Sequence, residues 1–272
     1  MEEKNKSDFV SPFDQEAASY DLDFTYTAVG KMQRQRVYHF LAKSLSEKPL
    51  QVLEINCGTG EDATWLASRG NRITATDLSV RMIEVTKSKI EKHQLQHLVS
   101  AHVCSFSQLK ENFPPRSFDL VFSNFGGLNC IDSSQLKTLV TDLEVLLKPG
   151  GSVIAVIMSS GCWWERLYFL WKGKKKEAGR RGTGNLVTAK LEHGVQSTWY
   201  YSPADIRRLF SPAFKMVRTA PIGIFIPPSY LDSFFMRKKT GLKILNQIES
   251  VFPFSFLSNA ADHFYIELKK IS

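Results

Sequence analysis

Glu54, the turn Asn56-Cys57-Gly58-Thr59-Gly60, the acid pair Glu61-Asp62 and, further along, Asp77 are the residues whose types and spacing suit ligand chemistry. Gly58 and Gly60 leave room for a ligand to approach the backbone and permit dihedrals closed to most residues. A helix following such a turn points its first amides at that ligand. Gly58 to Ala63 fits G-x-G-x-x-A, the pattern of a dinucleotide loop, and Asp77 stands where an acid binds ribose hydroxyls. Glu54, Glu61 and Asp62 argue against a diphosphate here, because fixed carboxylates repel it and attract a cation instead. A merely structural turn, and Asp77 as a plain helix cap, are the competing readings.

Groups able to move protons are fewer. His193, His263, Tyr20 and Tyr201 are the candidates. A lone histidine without a partnered motif fits a structural role better than a tuned one. Tyr20, in FDQEAASYD, reads as a cofactor or lid contact ahead of a base. Cys57, Cys104, Cys130 and Cys162 are widely spaced, with no CxxC and no Cys/His cluster. They predict reduced thiols, neither a disulfide framework nor a metal site.

The elements that must position these residues alternate along the chain. Val52 to Ile55, Ile73 to Ala75, Leu98 to Val103, Leu120 to Ser123 and Ser152 to Ile157 read as strands separated by amphipathic or polar stretches. That order predicts an α/β fold, a mostly parallel sheet with helices on both faces. Asp132 and Gln135 cap a helix over Ser133 to Leu147, and Lys148-Pro149-Gly150-Gly151 ends it. Ser202-Pro203 starts another helix that reaches Phe210. With 272 residues and 43% hydrophobic composition, one large domain is expected over 1–272. Its parts are an N-terminal helical lid (1–46), a cofactor-binding core (47–158), and a cap with the C-terminal strands (159–272). The lid reads as a short helix around Glu16 to Tyr20 and then a longer one over the mouth of the sheet. Ser159 to Gln196 reads as an insertion, part aromatic helix and part mobile loop.

Four segments together resemble the class I S-adenosylmethionine-dependent methyltransferases, especially the small-molecule subset similar to quinone and sterol C-methyltransferases. They are LEINCGTG (Leu53 to Gly60), ATDLSVRMIEVTKSK (Ala75 to Lys89), FDLVFSNFGGLNCI (Phe118 to Ile131) and LLKPGGSVIAVI (Leu146 to Ile157). The resemblance implies a seven-stranded, Rossmann-like sheet whose last strand is antiparallel, completed by Phe214 to Ala220 and His263 to Lys269. It implies S-adenosyl-L-methionine as cofactor and S-adenosyl-L-homocysteine as product. Glu54 with Asn56, Cys57, Gly58 and Gly60 would then hold the methionine end, and Asp77 the ribose. Leu78 and Met82 would sandwich the adenine, with Ser105 and Phe106 at its amine. Asn124 and Phe125 would face sulfonium and substrate, and Tyr20 would close over them. His193 falls in the insertion where the family often places substrate residues. Asn56 departs from the family's first glycine, and Ser105 from a common Asp.

The implied enzyme transfers a methyl group in line to a small, hydrophobic or aromatic molecule. Trp163, Trp164, Tyr168, Phe169 and Trp171, with Ile224 to Pro228, Phe234 and Phe235, are candidates for its apolar pocket. An aromatic stripe at this spacing packs equally well onto a core. The net charge of +8 concentrates in Lys172 to Arg181 and around Arg237 to Lys239, most simply solvated surface. An RNA or protein methyltransferase using that basic loop is the alternative, and an NAD(P)-binding oxidoreductase or a non-catalytic binding domain stand behind it. Against nucleic acid, the fourth strand ends in Ser123-Asn124-Phe125-Gly126 and no RNA-binding module is appended, so no stable nucleic-acid partner is expected. Weak membrane-surface contact through 163–181 is compatible with the aromatic-then-basic order. No leader or spanning segment is read, so a cytoplasmic location is expected.

Overall fold

The computed structural model describes residues 11–182, 186–191, 194–229 and 239–271. Ser11 caps α1 (Pro12–Glu16) in a reciprocal box with Asp14, with Pro12 at the first helical position. These residues start the helix earlier than Glu16 to Tyr20. A π-helical turn, Asp21–Thr25, leads into α2 (Ala28–Ser44), capped by Thr27. The repeat comes next: β1 (Gln51–Ile55), α3 (Glu61–Ala67), β2 (Arg72–Asp77), α4 (Val80–Lys92), β3 (Val99–Val103), α5 (Leu109–Asn112), β4 (Phe118–Ser123), α6 (Ser133–Leu146) and β5 (Leu147–Met158).

Beyond β5 come α7 (Trp163–Trp171), α8 (Lys175–Ala178), β6 (Leu186–Leu191), β7 (Gly194–Trp199), α9 (Pro203–Phe210) and β8 (Phe214–Ile222). The chain then forms α10 (Lys239–Val251) and β9 (His263–Lys270). Seven strands make one sheet in the order β3-β2-β1-β4-β5-β9-β8. β1 to β5 pair in parallel, and β9 runs antiparallel to both β5 and β8. This is the doubly wound sheet with an antiparallel late strand that the sequence implies. Strand order reverses between β1 and β4, which opens a crevice at their carboxyl ends.

Two apolar layers hold the sheet. Leu53, Val121, Val153 and Phe264 face α5, α6 and α9 through Leu109, Leu139, Leu143 and Phe210. Val52, Phe122, Ile154 and Tyr265 face the other way, against Val37, Leu41, Leu66 and Ile83 of α2, α3 and α4. Each fully buried Leu, Ile or Phe contributes about 1.5–3 kcal/mol relative to its exposed state. The far half of α2 thus covers a sheet face, and only its first half, carrying Arg34, reaches the mouth.

The insertion differs from expectation. Its described residues form α7, α8 and a β6–β7 hairpin that pairs only with itself. The basic run is not all solvated. Arg180 and Arg181 both turn inward onto Glu165, which is 2% exposed, and Arg181 also reaches Asp262 Oδ1 at 2.9 Å. Among the described residues no helix is long and apolar enough to cross a membrane.

Candidate active site

The Gly-rich turn sits at the topological switch. Asn56, Gly58 and Gly60 adopt φ of 62°, 54° and 75°, the left-handed region. Asn is among the few side chains that tolerate it, so Asn56 keeps the turn that the family builds with glycine. It also ties two strands together: its Nδ2 donates to the Asn124 carbonyl at 2.8 Å, and Ser123 Oγ donates to its Oδ1 at 2.6 Å. A Cβ on Gly127 would strike the Asn56 side chain, so the bulk that Asn56 adds is accommodated by a glycine across from it. A Cβ on Gly60 would lie 2.7 Å from Thr86 Cγ2, whereas one on Gly58 would meet nothing within 4 Å. Gly60 therefore allows loop and α4 to touch, and Gly58 opens onto space.

That space is a cavity of about 660 Å³ over the ends of β1, β2 and β4. Its wall includes Tyr20, Asn56, Cys57, Gly58, Asp77, Leu78, Met82, Ser105, Phe106, Asn124 and Phe125. Glu54 and Gly60 stand behind this wall, and Glu54 is 2% exposed. Leu78 leaves 45% of its surface uncovered beside buried Met82. Ser105 already gives its hydroxyl to Gln108 Oε1 at 2.9 Å in the cap of a 3-10 turn. Phe125 is a left-handed residue at φ 46°, its ring edge-on to Phe24, which in turn touches Tyr20.

Asp77 is held from both sides: Gly58 N donates to Oδ2 and Ser79 N to Oδ1, each at 2.9 Å. Burial pushes its carboxyl up, and the two amides oppose that shift. Each oxygen retains acceptor capacity for a ligand. Burial, and then the nearby Asp62, push Glu54 well above the ordinary carboxylate range, and its Oε2 has no partner among the described residues.

The acid pair opening α3 is neutralised inside the protein. Asp62 takes an ion pair from Arg34 at 2.5 Å and hydrogen bonds from Tyr38 and Asn124 at 2.8 and 3.0 Å. Lys89 lies between Glu61 at 3.0 Å and Asp21 at 2.8 Å. The expectation that Glu61 and Asp62 offer free charge to a cation is corrected: both carboxylates already face cations of the chain. The pairing hangs on residues of α2 and α4, far apart in sequence, and no local pattern announces it.

The remaining candidates separate clearly. Tyr20 lines the cavity with its phenol pushed up to about 12 by burial, so it is protonated at neutral pH. Tyr201 donates to the Ile131 carbonyl at 2.6 Å, a buried structural bond. His263 packs edge-on behind Phe125, its Nδ1 3.2 Å from Asp262 Oδ2, outside the cavity wall. His193, Phe234 and Phe235 lie outside the described residues. Trp163, Trp164, Tyr168, Phe169, Trp171 and Ile224 to Pro228 do not line the cavity. Trp163 Nε1 instead donates to the Ile224 carbonyl, tying α7 to the end of β8. Further wall comes from residues to which the sequence gives no site role. They are Cys130 and Ile131, Gln135, Thr138, Leu139 and Asp142 of α6, and Val195, Gln196 and Ser197 of β7. Arg34 also belongs to the wall. The capped α6 is legible in the sequence, but which of its turns face the crevice depends on how it packs.

Residues 52–151 match the family described as "Methyltransferase domain". The chain is 30% identical over 159 residues to a malonyl-[acyl-carrier protein] O-methyltransferase of Pseudescherichia vulneris, covering 58% of this chain and 56% of that protein. It is 28% identical over 145 residues to a demethylmenaquinone methyltransferase of Clavibacter sepedonicus, covering 52% and 54%. The chain thus spans about half the length of these curated relatives. A solved geranyl diphosphate C-methyltransferase of Streptomyces coelicolor A3(2) shares the fold, with a TM-score of 0.56 at 13% identity over 87% of this chain and 76% of that one. The matched region, with the sheet that it builds, is that of a methyltransferase domain of the class I, S-adenosylmethionine-dependent kind.

Proposed function

We propose that this protein transfers a methyl group from S-adenosylmethionine to a small molecule with an apolar body and no negative charge. The observation that carries the reading is Asp77. Its half-buried carboxylate is held by the Gly58 amide at a cavity whose neighbouring wall is the half-exposed Leu78 and the buried Met82. A diol beside a flat apolar ring fits that pair. Arg34, whose Nε has no hydrogen-bond partner among the described residues, suits the carboxylate of the methionine end. Glu54 supports the turn from below. We read α1 and Tyr20 as the lid, 47–158 as the cofactor-binding core and 159–272 as the cap with the closing strands.

S-adenosylmethionine supplies an electrophilic methyl whose bond to sulfur breaks as the acceptor's lone pair attacks, leaving neutral S-adenosylhomocysteine. The chain's work is alignment and exclusion of water, and holding reactants in line is worth up to about 7–11 kcal/mol. Asn124 is fixed by Asp62 and by its own chain neighbours, and Phe125 by Phe24 and Arg34, so both present rigid surfaces. Tyr20, protonated at neutral pH, donates or packs and does not take a proton.

The acceptor class rests on the wall. Phe13, Phe125, Ile131, Leu139 and Val195 supply apolar surface, with Gln135, Thr138 and Gln196 as neutral polar partners. Its one cation among the described residues, Arg34, is ion-paired with Asp62, while Asp142 adds a carboxylate. An anionic acceptor has no counter-charge there, and the lysines of 172–176 are not on the wall. The test incubates the protein with methyl-labelled S-adenosylmethionine and a cell extract, then counts label in organic, nucleic-acid and protein fractions. Label in the organic fraction supports the reading; label confined to RNA or protein overturns the substrate class.

A further inference from the structure

The most unusual helix of the molecule is α7. An amphipathic helix of a soluble domain turns its apolar stripe inward and its charges outward. In α7 the one fully buried residue is Glu165, 2% exposed; Trp163, Trp164, Tyr168 and Phe169 are half-buried, and Arg166 faces outward with Leu167, Leu170 and Trp171, the last three 52%, 46% and 72% exposed. The inversion has a cause. Glu165 is drawn inward by Arg180 and Arg181, and Arg181 is locked to Asp262, so ion pairs set the rotation of the helix about its axis. Leu167, Leu170 and Trp171 are left pointing at water.

The turn after α7 matches that face. Lys172, Lys174, Lys175 and Lys176 are all exposed, with Glu177 the one acid beside them. The Lys172 ammonium lies 5.1 Å from the Trp171 ring centroid and 5.8 Å from that of Tyr168, so charge and aromatic surface form one patch. Lysine stems cover apolar surface while their ammonium groups reach past it. A convex helix of Leu and Trp bordered by a lysine cluster has the composition of an element lying in a bilayer interface, attracted to anionic headgroups.

We propose that α7 and the Lys172–Lys176 turn form a docking surface for anionic lipid bilayers. Leu167, Leu170 and Trp171 enter the headgroup boundary and the lysines meet the lipid charge. The same insertion supplies Val195, Gln196 and Ser197 to the cavity wall, so docking holds part of the acceptor side of the cavity in an element bound to the membrane. The docking surface is independent of the methyl-transfer reading, because it is measured without cofactor or acceptor.

The test is co-sedimentation of the full chain with vesicles of phosphatidylcholine alone or mixed with phosphatidylserine, at low and physiological salt. Binding to the mixed vesicles, weaker at higher salt and absent from pure phosphatidylcholine, is expected. Leu170→Ser with Trp171→Ser, and separately Lys174→Glu with Lys175→Glu and Lys176→Glu, should each lower the bound fraction about tenfold or more. Both variants should keep the circular dichroism spectrum and melting temperature of the parent, since none of the five side chains is buried. No binding to the mixed vesicles, or binding unchanged in both variants, overturns the proposal. So does a parent that dimerises through this face, seen as a mass halved by Trp171→Ser in light scattering without vesicle binding.

Discussion

Two buried ionic centres, one around Asp62 and one around Asp262, are made of the same parts and left in different states. Around Asp262, Arg181 uses every nitrogen: Nε on Glu165, Nη1 on the Asp262 carbonyl and Nη2 on its carboxylate. Burial alone would raise Asp262, but His263 and Arg181 outweigh it and hold its carboxyl well below the usual range. Around Asp62 the carboxylate is equally well satisfied, yet among the described residues Arg34 Nε and one Glu54 oxygen have no partner. Buried polar groups left unmet cost free energy, so a fold retains them where a ligand completes the set. Among the described residues the Asp262 centre has unmet atoms of its own, Gln33 Oε1 and His263 Nδ1, but lies off the cavity wall, whereas the Asp62 centre borders it.

The contrast is sharpest for stability. Asp262→Asn leaves the buried Arg181 with Glu165 as its one carboxylate, shared with Arg180, and losing one partner of such a buried pair costs about 3–5 kcal/mol. Chemical denaturation should show that loss while S-adenosylhomocysteine affinity in the folded fraction stays at the parent value. Acid adds a second reading. The folded Asp262 stays ionised where an unfolded Asp, with a pKa of about 3.9, takes up its proton. The centre's contribution is therefore full above that pH, and declines as pH falls through it toward the depressed folded value. An acid midpoint unmoved by Asp262→Asn would count against this account.

Asp77→Ala comes next, with the effects reversed. Two hydrogen bonds to a charged group, at about 1.5–3 kcal/mol each, put the loss of S-adenosylhomocysteine affinity on the order of a hundredfold or more in calorimetry. The melting temperature should fall by less than in Asp262→Asn, through the Gly58 and Ser79 amides that lose their acceptor; unchanged affinity would falsify the ribose assignment. Because burial raises the Asp77 pKa, affinity should weaken on acidification at a higher pH than an exposed aspartate predicts, and Asp77→Asn should flatten that dependence.

Arg34→Lys preserves the charge facing Asp62 but removes the unpartnered Nε. An affinity loss of about tenfold with little change in denaturation midpoint is expected, one charged hydrogen bond's worth. If only the midpoint falls, Arg34 belongs with Arg181 as scaffold. Tyr20→Phe should be smallest, about threefold in cofactor KM from one neutral hydrogen bond. The pH–rate profile should keep its shape, because the phenol titrates near 12; a lost basic limb would reinstate Tyr20 as a proton acceptor.

The legibility of the sequence tracks the range of the forces involved. The strand periodicity of β1 to β5, the Asp132–Gln135 box and the Ser202-Pro203 start are local signals, and each element forms where those residues ask. Asp77, Leu78 and Met82 reach the cavity because a short strand and its following helix leave few alternatives. The β6–β7 hairpin reads as loop because its strands mix polar and apolar residues and pair only with each other. The composition of the Trp-rich stripe suggests a pocket, but the rotation of α7 is decided by Arg180, Arg181 and Asp262, the last of them 97 positions beyond Glu165. The expectation of free charge at Glu61 and Asp62 fails for the same reason, since their counter-ions come from α2 and α4.

β9 lies inside the sheet although it follows the sheet's six other strands in the chain. Phe264, Tyr265, Ile266 and Leu268 are wholly buried, and both edges of the strand are paired. During synthesis β5 and β8 must therefore wait, apolar and unpaired, until residues 263–270 emerge. Pairing across such a separation is slow, and open edges invite other chains. A chain synthesised only to residue 262 carries two open edges, and loss of this one strand would leave both of them sticky instead of shortening the sheet.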